Sequence, residues 1–173
     1  MIERFFTADT HFGHRLMADQ RGFSSIEEMD QVLIKAWNDK VPEKAMVYHL
    51  GDFSMYNKAD ASKLVQRLNG QICLIIGNHD YKIPDGLGFS DKMYTYKGDR
   101  ASGRPDIVLC HYAMLSWPKK HYGALHLFGH SHGKLQNPEP RSMDVGVDTR
   151  PDLSPYSERE ILELLLKSLE DYK

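Results

Sequence analysis

Acidic, histidine and asparagine side chains recur where the short apolar runs of this sequence end. They form five blocks: Asp9-Thr10-His11, Gly51-Asp52, Gly77-Asn78-His79-Asp80, His111 and Gly129-His130-Ser131-His132. Carboxylate, imidazole and amide groups together suit Mn, Fe, Zn, Ni or Co better than Ca. The blocks contain no thiolate, which argues against a structural zinc site. They therefore predict a metal centre of another kind.

The spacing within the blocks is compatible with coordination. Asp9 and His11 are two residues apart, as are His130 and His132, and residues two apart on near-extended backbone point to the same side. Glycine precedes three of the polar groups, at Gly51, Gly77 and Gly129. Because glycine has no Cβ, it allows a tight turn and a close approach at these places.

Seven of these side chains are candidate metal ligands: Asp9, His11, Asp52, Asn78, His111, His130 and His132. Seven ligands are too many for one tetrahedral ion, but they fit two ions that share a carboxylate. The two carboxylates carry about −2 of charge against +4 from two divalent ions. The excess positive charge can bind a phosphate and lower the pKa of bound water towards neutrality. Metal-dependent hydrolysis of a phosphate ester is the predicted chemistry.

The segments between the blocks read as one α/β domain over residues 1–173. Strands are predicted at 2–8, 45–50, 71–76, 106–110, 125–128 and 143–147, with a further candidate hairpin strand near 93–97 and a loop at 133–142. Functional groups in open α/β sheets collect beyond the carboxyl ends of the strands. Five strand ends can therefore deliver the polar blocks to one crevice.

Three helices are predicted from apolar stripes and end signals. Ser24 and Ser25 stand at capping-box spacing before Glu27 and Glu28, and Ser157-x-x-Glu160 repeats that pattern near the end of the chain. The stripes are Ile26, Met29, Leu33, Ala36 and Trp37; Ala61, Leu64, Val65 and Leu68, closed by Gly70; and Ile161, Leu164, Leu165 and Leu169. Such stripes are typical of helices that pack one face on a core.

Bulk composition limits the classes of protein that fit. The formal net charge is −2 over 173 residues, so there is no general positive field to recruit nucleic acid or an anionic membrane. No apolar run approaches membrane-spanning length, and the N-terminal segment reads as a strand rather than a signal peptide. Cys73 and Cys110 end or interrupt apolar runs and are expected to be reduced core thiols. We expect a soluble, cytoplasmic protein.

The ordered series Asp-x-His, Gly-Asp, Gly-Asn-His-Asp, His and Gly-His-x-His resembles the signature of the calcineurin-like metallophosphoesterase superfamily. The match spans residues 9–132, about three quarters of the chain. The resemblance implies a four-layer αββα sandwich, with two mixed β-sheets packed face to face, helices outside and the site at the strand ends.

The resemblance also implies a role for each matching residue. One metal would bind Asp9, His11, Asp52 and His132, and the second Asp52, Asn78, His111 and His130. His79 matches the histidine that faces the leaving group, and Asp80 the carboxylate that orients it. Two divalent ions are expected, with Mn favoured over Fe, Zn, Ni or Co. A hydroxide bridging the metals would attack phosphorus while His79 assists the departing oxygen.

Five further residues are candidate contacts for a small phosphodiester or phosphomonoester: His14, Arg15, Arg21, Trp117 and Lys119. The cationic side chains are candidates for a phosphate clamp. Trp117, together with Tyr112, is a candidate for stacking on a base or sugar. His49 and His126 are expected to be core or supporting groups.

Three alternatives stay open at this point. A single-domain nuclease or nucleotide phosphodiesterase would share the chemistry. Superfamily nucleases usually carry an extra domain, however, so nucleic acid is not a favoured partner.

The run from Gly129 to Gly133 also satisfies the Gly-x-Ser-x-Gly pattern of serine hydrolases. That fold needs an acid and then a histidine after the serine, and His132 is the last histidine. A non-catalytic binding scaffold is disfavoured because no ligand position is missing. The pattern does not specify the natural substrate or the oligomeric state.

Overall fold

Residues 2–136 and 139–170 are described in the computed structural model, without the side chains of Arg100 and residues 166–170. The strands are β1 (Arg4–Thr7), β2 (Met46–His49), β3 (Gln71–Ile75), β4 (Phe89–Asp91), β5 (Met93–Tyr96), β6 (Ile107–Cys110), β7 (Leu125–Phe128), β8 (Ser142–Asp144) and β9 (Tyr156–Ser157). The helices are α1 (Arg15–Gln20), α2 (Ile26–Lys40), α3 (Lys58–Val65) and α4 (Glu158–Glu170).

The strands form two mixed sheets. The first has the order β4-β3-β2-β1-β9, in which β1 to β4 run parallel and β9 is antiparallel to β1. The second has the order β5-β6-β7-β8, in which only β5 is antiparallel to its neighbour. Because β1, β2 and β3 are parallel and in register, their carboxyl ends lie at one edge. The ends of β6 and β7 are likewise adjacent.

Alternate residues of the first sheet pack on opposite sides, as a pleated strand requires. Phe5 and Val47 join a core cluster with the apolar faces of α2 and α3. Phe6 and Tyr48 join a second cluster with Ile107 and other residues of the second sheet. The chain is thus an α/β sandwich of two face-to-face sheets, which confirms the predicted fold class.

Helix caps form where the sequence indicates them. The Ser25 hydroxyl accepts the Glu28 N–H at 3.1 Å and begins α2. At α4, the Ser157 hydroxyl accepts the Glu160 N–H at 3.2 Å, while the Glu160 carboxylate accepts the Ser157 N–H at 2.7 Å. This reciprocal pair is a complete capping box. Helix α4 places Ile161 in the core between the sheets.

The outer face of the second sheet is covered by the segment 112–124. Val108 of β6 packs there against Trp117 and Ala124. The ring nitrogens of His126 tie this segment down, because Nε2 accepts the Met114 N–H at 3.2 Å and Nδ1 donates to the Val108 carbonyl at 3.1 Å. His126 is therefore a supporting group, as expected.

Several short elements differ from the sequence predictions. The predicted hairpin strand forms β5, which pairs antiparallel with β6, the next strand along the chain. Helix α1 and the strands β4 and β9 were not anticipated, since two to six residues show too little periodicity to identify. The side chain of Leu169, predicted to lie on an apolar stripe, is outside the described side chains. Residues 137–138 of the predicted loop are outside the described backbone. No helix in the described part of the chain has the length and apolar character needed to cross a membrane.

Candidate metal centre

The candidate ligands sit in turns with unusual backbone geometry. Five of the seven have left-handed φ angles: Asp9 (57°), His11 (50°), Asp52 (57°), His130 (67°) and His132 (49°). Side chains other than glycine seldom adopt this conformation, and it clusters at functional sites that the surroundings hold in place. Here the turns hold one another, since the Asp9 N–H donates to the Gly51 carbonyl and the His11 N–H to the Asp52 carbonyl, both at 3.0 Å.

The fold brings the ligand side chains into two groups. In each group the potential ligand atoms lie within 4.8 Å of one another. Group 1 contains Asp9, His11 and His132, and group 2 contains Asp52, His111 and His130. Asn78 joins group 2, because its Oδ1 lies 3.0 Å from His111 Nε2. All seven predicted ligands therefore converge.

Asp52 lies between the two groups. Its Oδ2 is 3.5 Å from His11 Nε2, and its Oδ1 is 3.6 Å from His111 Nε2. Each carboxylate oxygen thus faces one group, as a ligand shared by two ions would. The side chain is 3% exposed, so solvent does not separate the groups here.

The surroundings of His11 indicate whether group 1 suits a cation. The residue is buried, and both of its ring nitrogens lack a hydrogen-bond partner. Burial, together with the charge of His132, lowers the pKa of His11 to about 2, so the ring is neutral and offers a lone pair. Unpaired buried nitrogens are costly unless something binds them. Burial also raises the pKa of Asp9 to about 8, as expected for a carboxylate that lacks a cationic partner. The group fits a divalent ion.

Two other histidines have one ring nitrogen fixed by the protein. His111 Nδ1 lies 2.7 Å from the Leu50 carbonyl, and His132 Nδ1 lies 2.7 Å from Asp148 Oδ2. Both partners are acceptors, so each Nδ1 carries the proton and each Nε2 keeps its lone pair. Metal-ligating histidines commonly show this arrangement. The hydrogen bond to Asp148 also raises the pKa of His132.

Glycine makes the close approaches possible. A Cβ on Gly77 would lie 2.3 Å from Asp52 Oδ1, and a Cβ on Gly129 would lie 2.8 Å from Asp9 Oδ2. Both contacts are shorter than van der Waals packing allows. The predicted role of these glycines in close packing is confirmed.

His79 lies at the open side of the site. Its side chain is 39% exposed, and its Nε2 is 4.0 Å from Asp52 Oδ2. Its ring centroid is 5.4 Å from that of His11. The His14 ring is also 5.4 Å from His11 and lies 6.2 Å from His79. Two of the expected substrate-facing imidazoles are thus beside the ligands.

The expected role of Asp80 is wrong. Its carboxylate accepts the backbone N–H groups of Asp52 at 2.8 Å, Phe53 at 2.9 Å and Gly77 at 2.7 Å. No described hydrogen bond joins it to the His79 ring. Asp80 instead ties the turn after β3 to the turn after β2, which places Asp52 opposite Asn78.

Two predicted substrate contacts have buried side chains whose donors bind other groups of the protein. Trp117 is 5% exposed, and its Nε1 donates to the Ala124 carbonyl at 2.9 Å on the outer face of the second sheet. It cannot stack on a substrate. Arg21 is also buried, with its side chain 6% exposed and paired with Asp148. It cannot clamp a phosphate, because its donors are already engaged.

The other two predicted cations are each held in an ion pair. Lys119 pairs with Asp106 at 2.6 Å. Asp106 precedes β6, whereas His111 follows it, so this pair lies at the opposite end of the strand from the metal ligands. Arg15 projects from α1 and pairs with Asp19 at 3.0 Å with most of its side chain exposed.

Sequence reasoning missed Asp148, the partner of His132. The residue follows an apolar run in the same way as the other polar blocks, and that signal was available.

Tyr112 does lie at the site, with its ring 4.8 Å from that of His130 and its hydroxyl 3.5 Å from Asn78 Oδ1. The Ser131 hydroxyl, by contrast, donates to Asp144 at 2.5 Å, and a serine nucleophile would need an imidazole there.

Comparison with known proteins finds relatives that align along most of this chain. No family model matches it. An uncharacterized protein of Methanocaldococcus jannaschii, MJ1445, is 33% identical over 183 aligned residues, which cover 100% of this chain and 94% of the relative. The gene 66 protein of Mycobacterium phage D29 is 29% identical, over 91% of this chain and 94% of the phage protein.

A solved structure shares the fold. It is a protein of unknown function, AQ665 from Aquifex aeolicus, which is 21% identical, with a TM-score of 0.68 over 95% of this chain and 100% of that one. At this identity the likeness concerns the fold alone. The identity to the Methanocaldococcus protein over nearly the full length of both chains is the stronger finding. The chain belongs to the family of the uncharacterized protein MJ1445.

Proposed function

We propose that this protein is a dinuclear metal-dependent phosphoesterase of the calcineurin-like type that hydrolyses small phosphodiesters or phosphomonoesters. The observation that supports the proposal most strongly is the position of Asp52. One of its oxygens faces His11 and the other faces His111, at 3.5 and 3.6 Å. A buried carboxylate shared between two sets of imidazoles is an arrangement that two cations would stabilise.

Each ion has a ligand set among the described residues. Group 1 together with Asp52 would hold one ion, and group 2 together with Asn78 the other. Mixed imidazole and carboxylate ligands favour Mn, with Fe, Zn, Ni or Co as alternatives. When bound, such ions stabilise charge on phosphate oxygens and activate water.

The residues around the ligands supply the other requirements of ester hydrolysis. His79 is partly exposed next to Asp52, where its imidazole can donate a proton or a hydrogen bond to a departing oxygen. Tyr112 is 47% exposed and covers His130 and Asn78 from the solvent side. These two side chains form part of the rim against which the substrate's leaving group would lie.

Asp52→Asn tests the proposal directly. The asparagine amide offers one oxygen and one NH₂ donor in place of the two carboxylate oxygens of Asp52. Both ions should therefore bind more weakly, and hydrolysis should be lost. Manganese content by mass spectrometry and the turnover of nitrophenyl mono- and diesters are the measurements. Asp19→Asn, on the surface of α1, is the matched control, and Asp9→Ala is the inactive blank.

Two results would contradict the proposal. One is full metal content in Asp52→Asn. The other is a manganese-loaded wild-type protein that hydrolyses none of the nitrophenyl esters, cyclic nucleotides or linear nucleotides. Including a short single-stranded DNA in the same screen separates a nuclease from an enzyme for small esters.

A further inference from the structure

Arg21 uses its whole guanidinium group inside the protein. Nε donates to Asp148 Oδ1 at 2.7 Å, and Nη2 donates to Asp148 Oδ2 at 2.8 Å and to the Asp9 carbonyl at 2.6 Å. Nη1 donates to the Thr10 carbonyl at 2.9 Å and approaches Met29 Sδ at 3.5 Å. A guanidinium has five N–H donors, so none remains for a substrate.

These contacts connect Arg21 to both ends of group 1. On one side, Asp148 accepts two hydrogen bonds from Arg21 and one from His132 Nδ1 at 2.7 Å. The planar, bidentate pair fixes the orientation of the carboxylate. The carboxylate in turn fixes the tautomer of His132, so that Nε2 is presented to group 1.

On the other side, Arg21 holds the backbone that carries Asp9 and His11. Both residues have left-handed φ angles, of 57° and 50°, a conformation that persists only when surrounding contacts hold it. The guanidinium accounts for two of those contacts, since it binds the carbonyls of Asp9 and Thr10. One side chain thus supports all three members of group 1.

Group 2 is supported by other means. His111 is oriented by the Leu50 carbonyl and Asp52 by its backbone turn, which the Asp80 carboxylate holds. No described contact joins Arg21 or Asp148 to Asp52, His111 or His130. The contacts of Arg21 are therefore confined to group 1. The two groups do touch elsewhere, because the His130 N–H donates to the Asp9 carboxylate at 2.9 Å.

We propose that Arg21, acting through Asp148 and the Asp9–Thr10 carbonyls, is a positioning residue that sets the metal affinity of group 1 independently of group 2. The proposal rests on the proposed function, because it assumes that both groups bind ions. It assigns Arg21 to the metal centre rather than to the substrate. It also explains why a cation is buried beside a centre that binds cations: Asp148 neutralises it.

The test is a titration of the metal-free protein with Mn²⁺ by calorimetry, with electron paramagnetic resonance to separate single from paired ions. Arg21→Lys keeps the charge but not the two-pronged geometry or all five donors. We expect one of the two ions to bind about 10- to 100-fold more weakly, as is typical when a supporting partner of a ligand is lost. The other ion should bind as in wild type. Arg15→Lys, on the exposed side of the neighbouring α1, should leave both affinities unchanged.

Asp148→Asn is the second variant, in case Arg21→Lys folds poorly. It should weaken the same single ion, and combining it with Arg21→Lys should cost less than the sum of the two, since both act through His132. Thermal unfolding of the metal-free variants shows whether a loss of affinity is merely a loss of fold. A purely structural role would weaken both ions together.

The outcomes distinguish the two proposals. If wild type binds no Mn²⁺, the proposed function fails, and this inference fails with it. If wild type binds two ions and the variants bind two with unchanged affinity, or lose both equally, only the positioning role of Arg21 is overturned.

Discussion

Hydrogen-bond partners, rather than residue type, distinguish the histidines of this protein. His126 uses both ring nitrogens within the fold, whereas His11 uses neither. His111 and His132 stand between these extremes, because in each ring Nδ1 donates a hydrogen bond to an oxygen of the protein. A neutral imidazole with one free lone pair is what a divalent cation needs. The hydrogen-bond partners of each histidine therefore determine which ring nitrogen carries the proton and which has a lone pair free for a cation.

His79 provides a test at this scale. His79→Ala should leave the ions bound, because the ring lies outside both ligand groups, but it should slow turnover by about 100-fold or more, in the range of general acid catalysis. The loss should be greatest for esters with poor leaving groups. Comparing kcat for nitrophenyl and alkyl esters measures it, with the exposed His121→Ala as control. Equal rates for the variant and wild type on alkyl esters would remove His79 from the mechanism.

At the scale of elements, the site is a set of turns that follow parallel strands. Backbone hydrogen bonds connect the turns after β1 and β2. The Asp80 carboxylate connects the turns after β2 and β3 by accepting three N–H groups. Burial raises the pKa of Asp80, while these N–H groups lower it. The strands set the direction and register of the turns, and the turns carry the candidate ligands.

Gly77→Ala tests how tightly these turns pack. The new methyl group would meet Asp52 Oδ1 at 2.3 Å and the Asp52 backbone nitrogen at 2.6 Å. We expect a loss of about 1–3 kcal/mol in the free energy of unfolding, typical of overpacking, together with much weaker metal binding. Chemical denaturation and metal titration measure the two effects.

The control for that variant is Gly103→Ala. Gly103 has a φ of 75° and nothing within 4 Å of its added Cβ, so the substitution should cost about 1 kcal/mol in backbone strain and leave metal binding intact. Unchanged metal affinity in Gly77→Ala would mean that the turn after β3 can move away from Asp52.

At the scale of the whole molecule, the site lies on the seam between the two sheets. The first sheet supplies Asp9, His11, Asp52 and Asn78 from the turns after β1, β2 and β3, and the second supplies His111, His130 and His132 after β6 and β7. A parallel bridge between Ala8 and Gly146 joins the two sheets at this point. Neither sheet alone carries either complete set of candidate ligands, so each set is assembled only when the two sheets pack together.

His49 makes the stability of this sandwich depend on pH. It is fully buried, and desolvation lowers its pKa from 6.5 to about 3. The unfolded chain therefore binds a proton that the folded chain does not, and stability falls as the pH drops from 6.5 towards 3. The slope from this one group is about 1.4 kcal/mol per pH unit.

His49→Gln should reduce that slope. The glutamine amide can replace the donor that reaches Thr10 Oγ1 at 2.9 Å, but it does not titrate. Denaturant unfolding of the metal-free protein at several pH values between 4 and 6.5 measures the slope, and the surface variant His121→Gln should leave it unchanged. An identical slope in wild type and His49→Gln would show that His49 is protonated in the folded state.

The sequence by itself determined which residues are candidate ligands and where the main strands lie. Polar residues after apolar runs are readable because parallel strands must end at a common edge, and helix caps such as Ser25 and Ser157 are local signals. The pattern of strands and helices indicated one α/β domain, and the resemblance carried by the ordered blocks implied the sandwich.

Only the tertiary structure decided what the remaining charged residues do. Arg21 and Asp148 are 127 positions apart, and no local pattern shows that they form an ion pair behind His132. Asp80 and Trp117 were misassigned for a similar reason, since their partners come from other turns or from the outer face of a sheet. Long-range contacts depend on how the two sheets pack, and that packing is a property of the whole chain.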